Sequence, residues 1–266
     1  MIHIAQYNAL MESLGLTTME GVKSFHGDLV KNHNGRREIF RIDAGCSNER
    51  KLVFYLKRVW RTKKKDGFAS LLRRGEVWSC CRQEWENCRT LQKAGFGTAE
   101  LVAFGEECLP LWERFSFIIT RAADGAQTVD DFLRGCTERG LRRKVFDALA
   151  REVRRMHDAG LATPDLFTRH LFVDTSDEEP KFCFIDMARL DRFRRTPEKV
   201  RARDLAELNI TAPLRFVSAA ERVRFLRVYA GRKDKALAEG VRKRVKHLLK
   251  RKKFQGFLMS KSEPGA

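Results

Sequence analysis

The sequence predicts an α+β protein of two lobes, a small β-rich N-terminal lobe with a single helix and a larger α-helical C-terminal lobe. Three observations lead to this prediction. Strand-like apolar runs recur through the first 124 residues, and helical periodicity begins near Thr128. Two short apolar runs, LFV and FCFID, flank the polar turn DTSDEEP and predict a hairpin inside the helical half. We therefore predict lobes at residues 1–124 and 125–266.

Composition limits the classes of protein that fit. The chain has 266 residues and is 43% hydrophobic, which is enough for a real core. Its formal net charge of +18 predicts a polyanionic partner, whether nucleic acid, an anionic membrane face or a phosphorylated substrate. No apolar run approaches the length of a membrane span, and no signal peptide is evident. We therefore expect a cytoplasmic protein. The seven cysteines contain no CxxC pair, so we expect them to be reduced.

The N-terminal elements follow from alternation and turn residues. Residues 21–57 are predicted to form strands around the turn NHNG. In NERKLVFYLKRVW, alternation places Lys57 at the end of an otherwise apolar face. The segment RTKKKDGFASLLRRG is predicted to be a basic loop. A helix is predicted over RQEWENCRTLQKAG, ending at Gly95, with an apolar face of Trp85, Cys88 and Leu91. The runs AELVAFGEE and RFSFIITRAA predict two further strands.

The C-terminal half is predicted to be helical on both sides of the hairpin. Thr128 is a predicted N-cap for TVDDFLRG. The following helix, GLRRKVFDALAREVRRMHDAG, carries one apolar stripe made of Val145, Leu149, Val153 and Met156. Further helices are predicted over RARDLAELNI, SAAERVRFLRVYAG and the strongly basic KALAEGVRKRVKHLLKRKKFQGF. The tail SKSEPGA is predicted to be disordered.

This order of elements is that of a protein-kinase-like fold, and phosphoryl transfer supplies a test of it. The chemistry needs a strand lysine for nucleotide phosphates, a helix glutamate to orient that lysine, and an aspartate near the acceptor hydroxyl. It also needs a metal ligand about five residues beyond that aspartate and a second aspartate after the next hairpin. Residues of the required types occur in this order: Lys57, Glu84, Asp165, His170 and Asp186.

Each of these residues has an ordinary structural explanation when taken alone. A strand-end lysine is usually on the surface, a helix glutamate is usually solvated, and an isolated aspartate is often a turn former. Their joint order on the required element types is what predicts a kinase.

The chain resembles the lipopolysaccharide core kinases of Gram-negative bacteria, which include the heptose kinases and the Kdo kinases. The segments that carry the resemblance include FYLKRVW, RQEWENCRTLQKAGF, FSFIITRAAD, VRRMHDAG, DLFTRHLFV, FIDMARL and RDLAELN. The resemblance is strongest to the heptose(I) kinases, with a Kdo kinase as the weaker choice. It implies a protein-kinase-like fold that transfers the γ-phosphate of ATP to a core-sugar hydroxyl with Mg²⁺.

The resemblance also implies site roles. Asp165 takes the catalytic aspartate position, while Asp186 and His170 take the metal positions, with His170 where most protein kinases have asparagine. In the N-terminal lobe, Lys57 and Glu84 take the ion-pair positions and Gly35 the glycine-loop hairpin. Asp204, in RDLAEL, matches an acid that braces the catalytic loop.

Two departures from the usual kinase pattern are visible. The catalytic loop contains Thr163, Pro164 and Asp165 where HRD is usual, so it lacks an arginine brace. The glycine loop is reduced to Gly35. These departures put the catalytic rate in question but leave the acids and the lysine in place.

The resemblance implies the lipopolysaccharide core and lipid A precursor as substrate. The excess positive charge fits this anionic substrate and the anionic leaflet of the inner membrane that carries it. The helix VRKRVKHLLKRKK places Val245, Leu248 and Leu249 among cations. It fits a peripheral membrane contact or a solvated basic helix equally well. The resemblance further suggests a dependence on acyl carrier protein.

Two alternatives compete with a lipopolysaccharide kinase. A protein kinase or a small-molecule kinase of the aminoglycoside type shares the acids, but the latter needs an acidic pocket that a basic protein does not favour. A non-catalytic nucleic-acid-binding protein explains the charge but not Lys57 or the acids after each apolar strand. We therefore expect no nucleic-acid partner.

Overall fold

The computed structural model describes residues 2–3, 7–47, 50–61, 70–72, 75–123 and 125–250. The chain divides into two compact units. Unit 1 comprises Met1–Lys93 and Thr98–Asp124, and unit 2 comprises Ala94–Gly97 and Gly125–Ala266. Most of the predicted basic loop and the whole predicted disordered tail lie outside the described residues.

Unit 1 is built on a six-stranded sheet in the order β1-β6-β7-β4-β3-β2, with antiparallel pairing. Its helices are α1 Asn8–Ser13, α2 Met19–Ser24 and α3 Cys80–Lys93. The strands of this sheet are β1 Ile2–His3, β2 Asp28–His33, β3 Arg37–Ser47, β4 Arg50–Trp60, β6 Glu100–Leu109 and β7 Trp112–Arg121, and the short strand β5 Gly97–Thr98, between α3 and β6, is outside it. The last residues of α3 lead to Gly95, whose φ of 79° ends the helix as predicted.

The prediction that strands begin at residue 21, and that this lobe has a single helix, was wrong at its N-terminal end. Residues 21–24 belong to α2, because the Thr18 hydroxyl accepts a hydrogen bond from the Gly21 amide at 3.0 Å and caps the helix. Val22 of α2 is fully buried, and the guanidinium of Arg58 donates to the carbonyl of Val22 at 2.9 Å. Tertiary contacts therefore stabilise a six-residue helix whose sequence has weak helical character.

The main hydrophobic cluster of unit 1 packs α1 and α2 against this sheet. Its buried side chains come from α1, α2 and four strands and include Met11, Val22, Phe40, Phe54, Leu56, Val102, Phe115, Phe117 and Ile119. Helix α3 also buries the predicted apolar face of Trp85, Cys88 and Leu91. That face includes Glu84, a charged residue in an otherwise apolar environment. The α+β class and the antiparallel sheet predicted from the sequence are confirmed.

Unit 2 is mainly helical, as predicted. Its helices are α4 Val129–Gly135, α5 Arg139–Asp158, α6 Glu198–Thr211, α7 Ala219–Ala230 and α8 Lys235–Leu249. Its strands are β8 Gln127–Thr128, β9 Leu161–Ala162, β10 Leu171–Asp174, β11 Lys181–Phe184 and β12 Asp191–Arg192. Thr128 caps α4, and the predicted stripe of α5 is buried. The predicted hairpin is β10–β11, in which Phe172 pairs with Cys183.

The basic helix α8 uses its apolar side chains within unit 2. Val241 and Leu248 are 3% and 0% exposed, and α8 packs against α6. A Cβ on Gly240 would lie 3.4 Å from the Ala202 side chain, so the two helices approach closely. The exposed face of α8 is mainly cationic, and of the three apolar residues named from the sequence Leu248 is buried and Leu249 is 38% exposed. The predicted continuation of this helix beyond residue 250 lies outside the described residues, and no described helix could span a bilayer.

Candidate active site

The first candidate group is an ion pair in unit 1. Lys57 lies in β4 between β3 and β7, where it pairs with Ile39 and Ile118. Its Nζ lies 2.5 Å from Oε2 of Glu84 on α3, and each side chain is 9% exposed. Removing either charge from water is costly unless the other neutralises it. The sequence placed both residues correctly on a strand and on the following helix.

Gly35 lies in the turn between β2 and β3. The turn has left-handed backbone at Asn34, with φ 52°, and at Gly35, with φ 67°. The Gly35 amide donates a hydrogen bond to Oδ1 of Asn32 at 2.8 Å, which closes the turn locally. The hairpin tip is exposed, and a single glycine supplies its conformational freedom. The predicted turn is confirmed, while a role for Gly35 in nucleotide binding stays a prediction.

The loop that contains Asp165 is held by Thr163. The Thr163 hydroxyl donates to the carbonyl of Arg189 at 2.8 Å and accepts from the Asp165 amide at 3.2 Å. Thr163 is fully buried, and the Asp165 side chain is 19% exposed. The absence of the usual arginine therefore does not leave the loop unsupported. A buried hydroxyl links it to the segment that follows Asp186.

Asp204 on α6 completes this support. One carboxylate oxygen of this fully buried residue accepts from the Thr163 amide at 2.8 Å and lies 3.3 Å from Nε2 of His157. The other accepts from Nε of Arg203 at 2.7 Å, and Nη1 of Arg203 also donates to Asp191 at 2.8 Å. The bracing geometry expected of Asp204 is present. We call Thr163, Asp204, His157 and Arg203 the loop brace.

Asp186 follows β11 in a left-handed conformation, with φ 54°. Its Oδ2 lies 3.8 Å from Nε2 of His170, whose Nδ1 lies 3.0 Å from the carbonyl oxygen of Asp165. A carbonyl can only accept, so Nδ1 carries the proton, and the unprotonated Nε2 accepts a hydrogen bond from Nε of Arg169 at 3.3 Å. Burial lowers the pKa of His170 below its ordinary value, although Asp186 acts in the opposite direction. The ring is therefore neutral near pH 7, and Nε2 can act as a ligand where a metal ion replaces the guanidinium of Arg169.

This pair fits one metal ion in a phosphate-bound complex. The described residues include no cluster of three or more His, Cys, Asp or Glu side chains that could enclose a metal. Mg²⁺ does not need such a cluster, because one or two carboxylates, water and substrate phosphates usually complete its coordination. The Asp186 side chain is 37% exposed, which leaves room for such ligands.

Arg189 adds a cation beside the candidate catalytic acid. Its Nη1 lies 3.5 Å from Oδ2 of Asp165, and its side chain is 64% exposed. A largely exposed guanidinium next to this carboxylate suits the recognition of an anionic group. The sequence analysis included Arg189 only as a letter of FIDMARL and assigned it no role.

The predicted site residues thus form two sets, each described within its own unit. Lys57 and Glu84 meet in unit 1, and the His170 ring connects the backbone of Asp165 to the carboxylate of Asp186 in unit 2. Sequence reasoning missed His157 and Arg203. The signal available for His157 was its position beside Met156 on the apolar stripe of α5, where a histidine must find polar partners.

The model of the lipopolysaccharide kinase (Kdo/WaaP) family matches residues 20–229. The lipopolysaccharide core heptose(I) kinase WaaP of Pseudomonas aeruginosa is 31% identical over 193 residues, which cover 67% of this chain and 72% of that protein. The protein of the same name from Escherichia coli is 27% identical over 223 residues, covering 81% and 82%.

A solved structure described as WaaP in complex with acyl carrier protein has the same fold. Its TM-score is 0.63, at 24% identity, with 96% of this chain and 98% of that chain covered. This similarity confirms the protein-kinase-like fold predicted from the sequence.

Proposed function

This chain belongs to the lipopolysaccharide kinase (Kdo/WaaP) family, and we propose that it transfers the γ-phosphate of ATP to a heptose hydroxyl of the lipopolysaccharide inner core. The kinase activity follows from the family, while the heptose is inferred from the names of the relatives. The observation that supports the proposal most directly is the His170 ring, which lies between the Asp165 carbonyl and the Asp186 carboxylate.

In this proposal Asp165 orients the acceptor hydroxyl. The hydroxyl oxygen bonds to the γ-phosphorus, the bond from that phosphorus to the β–γ bridging oxygen breaks, and ADP leaves. The hydroxyl proton passes to Asp165 late in the transfer. The loop brace holds the loop through Thr163, so the orientation of Asp165 is set before the substrate arrives.

Lys57 is proposed to bind the nucleotide phosphates, with Glu84 fixing its position. Gly35 is proposed to bring the backbone of the β2–β3 turn to the nucleotide. Asp186 and His170 would hold Mg²⁺, which when bound neutralises charge on the β- and γ-phosphates. Arg189 would attract an anionic group of the acceptor next to Asp165.

The test is transfer of one phosphate to a defined acceptor. Core lipopolysaccharide that lacks its heptose phosphates is incubated with the protein and Mg-ATP, and the product is analysed by mass spectrometry. We expect the mass of one phosphate to be added, with tandem fragmentation placing it on heptose. Asp165→Asn should lower the transfer rate by about 10³-fold and leave nucleotide affinity nearly unchanged. Phosphate on Kdo instead, or an active Asp165→Asn protein, would contradict the proposal.

We also propose that the protein works in the cytoplasm at the anionic face of the inner membrane. The contact is electrostatic, because Leu248 and Val241 of α8 are buried while Lys243 and Lys246 are exposed. Each lysine near an anionic surface contributes about 1 kcal/mol before screening. Lys243→Gln with Lys246→Gln should therefore weaken co-sedimentation with anionic vesicles at low salt. Unchanged sedimentation would instead favour a solvated basic helix.

Acyl carrier protein is a proposed partner, by analogy with the solved complex of WaaP. An acidic partner suits a chain of net charge +18. Analytical ultracentrifugation of the two purified proteins tests this directly. Independent sedimentation at both low and physiological salt would rule it out.

A further inference from the structure

Unit 2 contains a large basic cavity that none of Asp165, His170 and Asp186 lines. Its volume is about 980 Å³, and it lies among the end of α5, the segment before α6 and the junction of α7 with α8. Five cationic side chains line it: Arg154, Arg195, Lys199, Arg201 and Arg232. A cavity of this size can hold a substituted phosphate rather than a single ion.

Two of these cations share one carboxylate. Nη2 of Arg201 lies 2.8 Å from Oδ1 of Asp158, and Nε of Arg154 lies 3.3 Å from Oδ2 of the same residue. Arg154 is also fixed by a hydrogen bond to the carbonyl of Tyr229 at 3.1 Å. These contacts hold both guanidinium groups at the cavity wall, with only one negative charge between them.

The other three cations, Arg195, Lys199 and Arg232, are exposed and form no ion pair with any residue that the structure describes. Two further carboxylates face the cavity. Oδ1 of Asp234 accepts from the Leu237 amide at 2.9 Å and caps α8, while Glu198 lies in the exposed first turn of α6. Five cations and three carboxylates leave an excess of two positive charges.

The cavity is open because small residues line part of it. Ala202, Ala230, Ala236 and Gly240 contribute little side-chain volume. Helix α6 begins at this cavity, and its N-cap, Pro197, provides no side-chain hydrogen bond to the first amides. These amides add positive potential to the side-chain charges.

We infer that this cavity binds a phosphomonoester or pyrophosphate group outside the kinase site. Guanidinium groups present paired N–H donors that match the oxygens of a phosphate, and here four arginines line one space. The group could belong to a glycolipid or to a free phosphate, because the recognition chemistry is the same for both.

The cavity also adjoins the loop brace. Thr196 lines it and donates to the carbonyl of His157 at 2.7 Å, and Tyr229 lines it and bonds Nδ1 of His157 through its hydroxyl at 2.7 Å. A ligand in the cavity would therefore touch residues that hold His157, which in turn lies against Asp204.

The test uses inorganic pyrophosphate without Mg²⁺ and a protein with Arg195→Gln and Arg232→Gln. Neither side chain forms an ion pair among the described residues, so we expect an unchanged melting temperature. Calorimetry should show pyrophosphate affinity at least about tenfold weaker than in the wild type. Arg143→Gln is the matched control, an exposed arginine of α5 outside the cavity. Pyrophosphate bound at the kinase site contributes equally in all three proteins. Equal affinity in the double variant and the control would overturn the inference.

Vesicles identify the source of the phosphate. Phosphatidylcholine vesicles containing bisphosphorylated lipid A are compared with vesicles containing phosphatidylglycerol, a phosphodiester of similar surface charge. If the double variant loses affinity for the lipid A vesicles but not for the phosphatidylglycerol vesicles, the site is assigned to the glycolipid. Loss of pyrophosphate binding with both vesicle affinities retained assigns it to a free phosphate. If the double variant loses affinity equally for both kinds of vesicle, the cavity is only part of a general basic surface. That result would contradict the inference, whatever the result for phosphate transfer.

Discussion

The ion pair of unit 1 and the histidine–aspartate pair of unit 2 represent two different uses of a carboxylate. Lys57 and Glu84 lie 2.5 Å apart, and each side chain is 9% exposed. His170 and Asp186 lie 3.8 Å apart, and the Asp186 side chain is 37% exposed. The first pair is buried and neutral overall, whereas the second combines a neutral ring with a carboxylate that is more exposed to solvent.

This difference indicates what each pair can do. A buried pair that is broken on one side leaves a charge in a low-dielectric environment, so it contributes to folding as well as to catalysis. An exposed carboxylate beside a neutral imidazole contributes little to stability and is suited to an incoming cation. Substitutions of Lys57 or Glu84 should therefore lower both stability and turnover. Substitutions of Asp186 should lower turnover alone.

Among substitutions in the two pairs, the largest expected effect on transfer is that of Asp186→Asn. Removing one ligand charge should lower phosphate transfer by about 10³-fold, the range found for a lost electrostatic contact at a reacting centre. The affinity for Mg-ATP should also fall. Asparagine tolerates the φ of 54° at this position, so the backbone is not strained.

Single-turnover transfer and calorimetry with Mg-ATP measure these two effects. The melting temperature serves as the control and should stay within error of the wild type. A large fall in stability would mean that the Asp186 carboxylate contributes to folding in the same way as the buried, paired carboxylate of Glu84.

Lys57→Met should have a smaller effect on transfer, about 10²-fold, and a much larger one on stability. It leaves Glu84 buried without its cation, which costs about 3 kcal/mol. Chemical denaturation followed by tryptophan fluorescence measures this cost.

A double variant separates the two contributions. Lys57→Met with Glu84→Met replaces the pair by apolar side chains and should recover most of the stability without recovering turnover. If the double variant is no more stable than Lys57→Met alone, the cost arises from packing rather than from a buried charge.

The sequence allowed both pairs to be predicted, but not the difference between them. Lys57, Glu84 and Asp186 were found because kinase chemistry fixes their order along the chain and the element type that each occupies. Their exposure depends on packing from distant segments, such as the strands β3 and β7 that flank Lys57. Chain order contains no such information.

Two members of the loop brace, His157 and Arg203, were missed for the same reason, whereas the family resemblance had already pointed to Asp204. His157 and Asp204 are 47 residues apart, and only the fold shows that they meet. The helix α2 was missed because its six residues include a glycine and a valine, and contacts with Arg58 outweigh that weak local preference. The sequence of α8 fitted a membrane contact and a solvated basic helix equally well, and it did not show that Leu248 would be buried while Leu249 stays 38% exposed.

Asp204→Asn tests whether unit 2 also has a carboxylate that is buried and held by hydrogen bonds within the protein. Asp204 is fully buried and accepts from the Thr163 amide and from Arg203, so in this respect it resembles Glu84. An amide cannot accept at both positions, and the Asp165 loop should shift. We expect transfer to fall on the order of 30-fold, below the roughly 10²-fold effect of a 1 Å misplacement.

Separate measurement of kcat and of the KM for ATP shows whether Asp204 acts by positioning the Asp165 loop. Because the nucleotide phosphates are assigned to other residues, the KM for ATP should stay constant while kcat falls. A matching rise in KM for ATP would show that Asp204 supports nucleotide binding instead.

The smallest expected effect is that of His170→Asn, which would bring the site closer to the usual kinase pattern. His170 contributes a neutral nitrogen near Asp186 and a hydrogen bond to the Asp165 carbonyl. Asparagine can provide an oxygen to a cation and an N–H to a carbonyl, whereas alanine can provide neither. His170→Ala should therefore lower transfer by about tenfold, as for other groups that orient a metal site, and His170→Asn should lower it less. Titration with Mn²⁺ followed by electron paramagnetic resonance gives a second readout, in which affinity in the presence of ATP should follow the same order. If asparagine behaves like alanine in both measurements, His170 acts through its ring packing against Phe167. The proposed metal binding of the second pair would then depend on Asp186 alone.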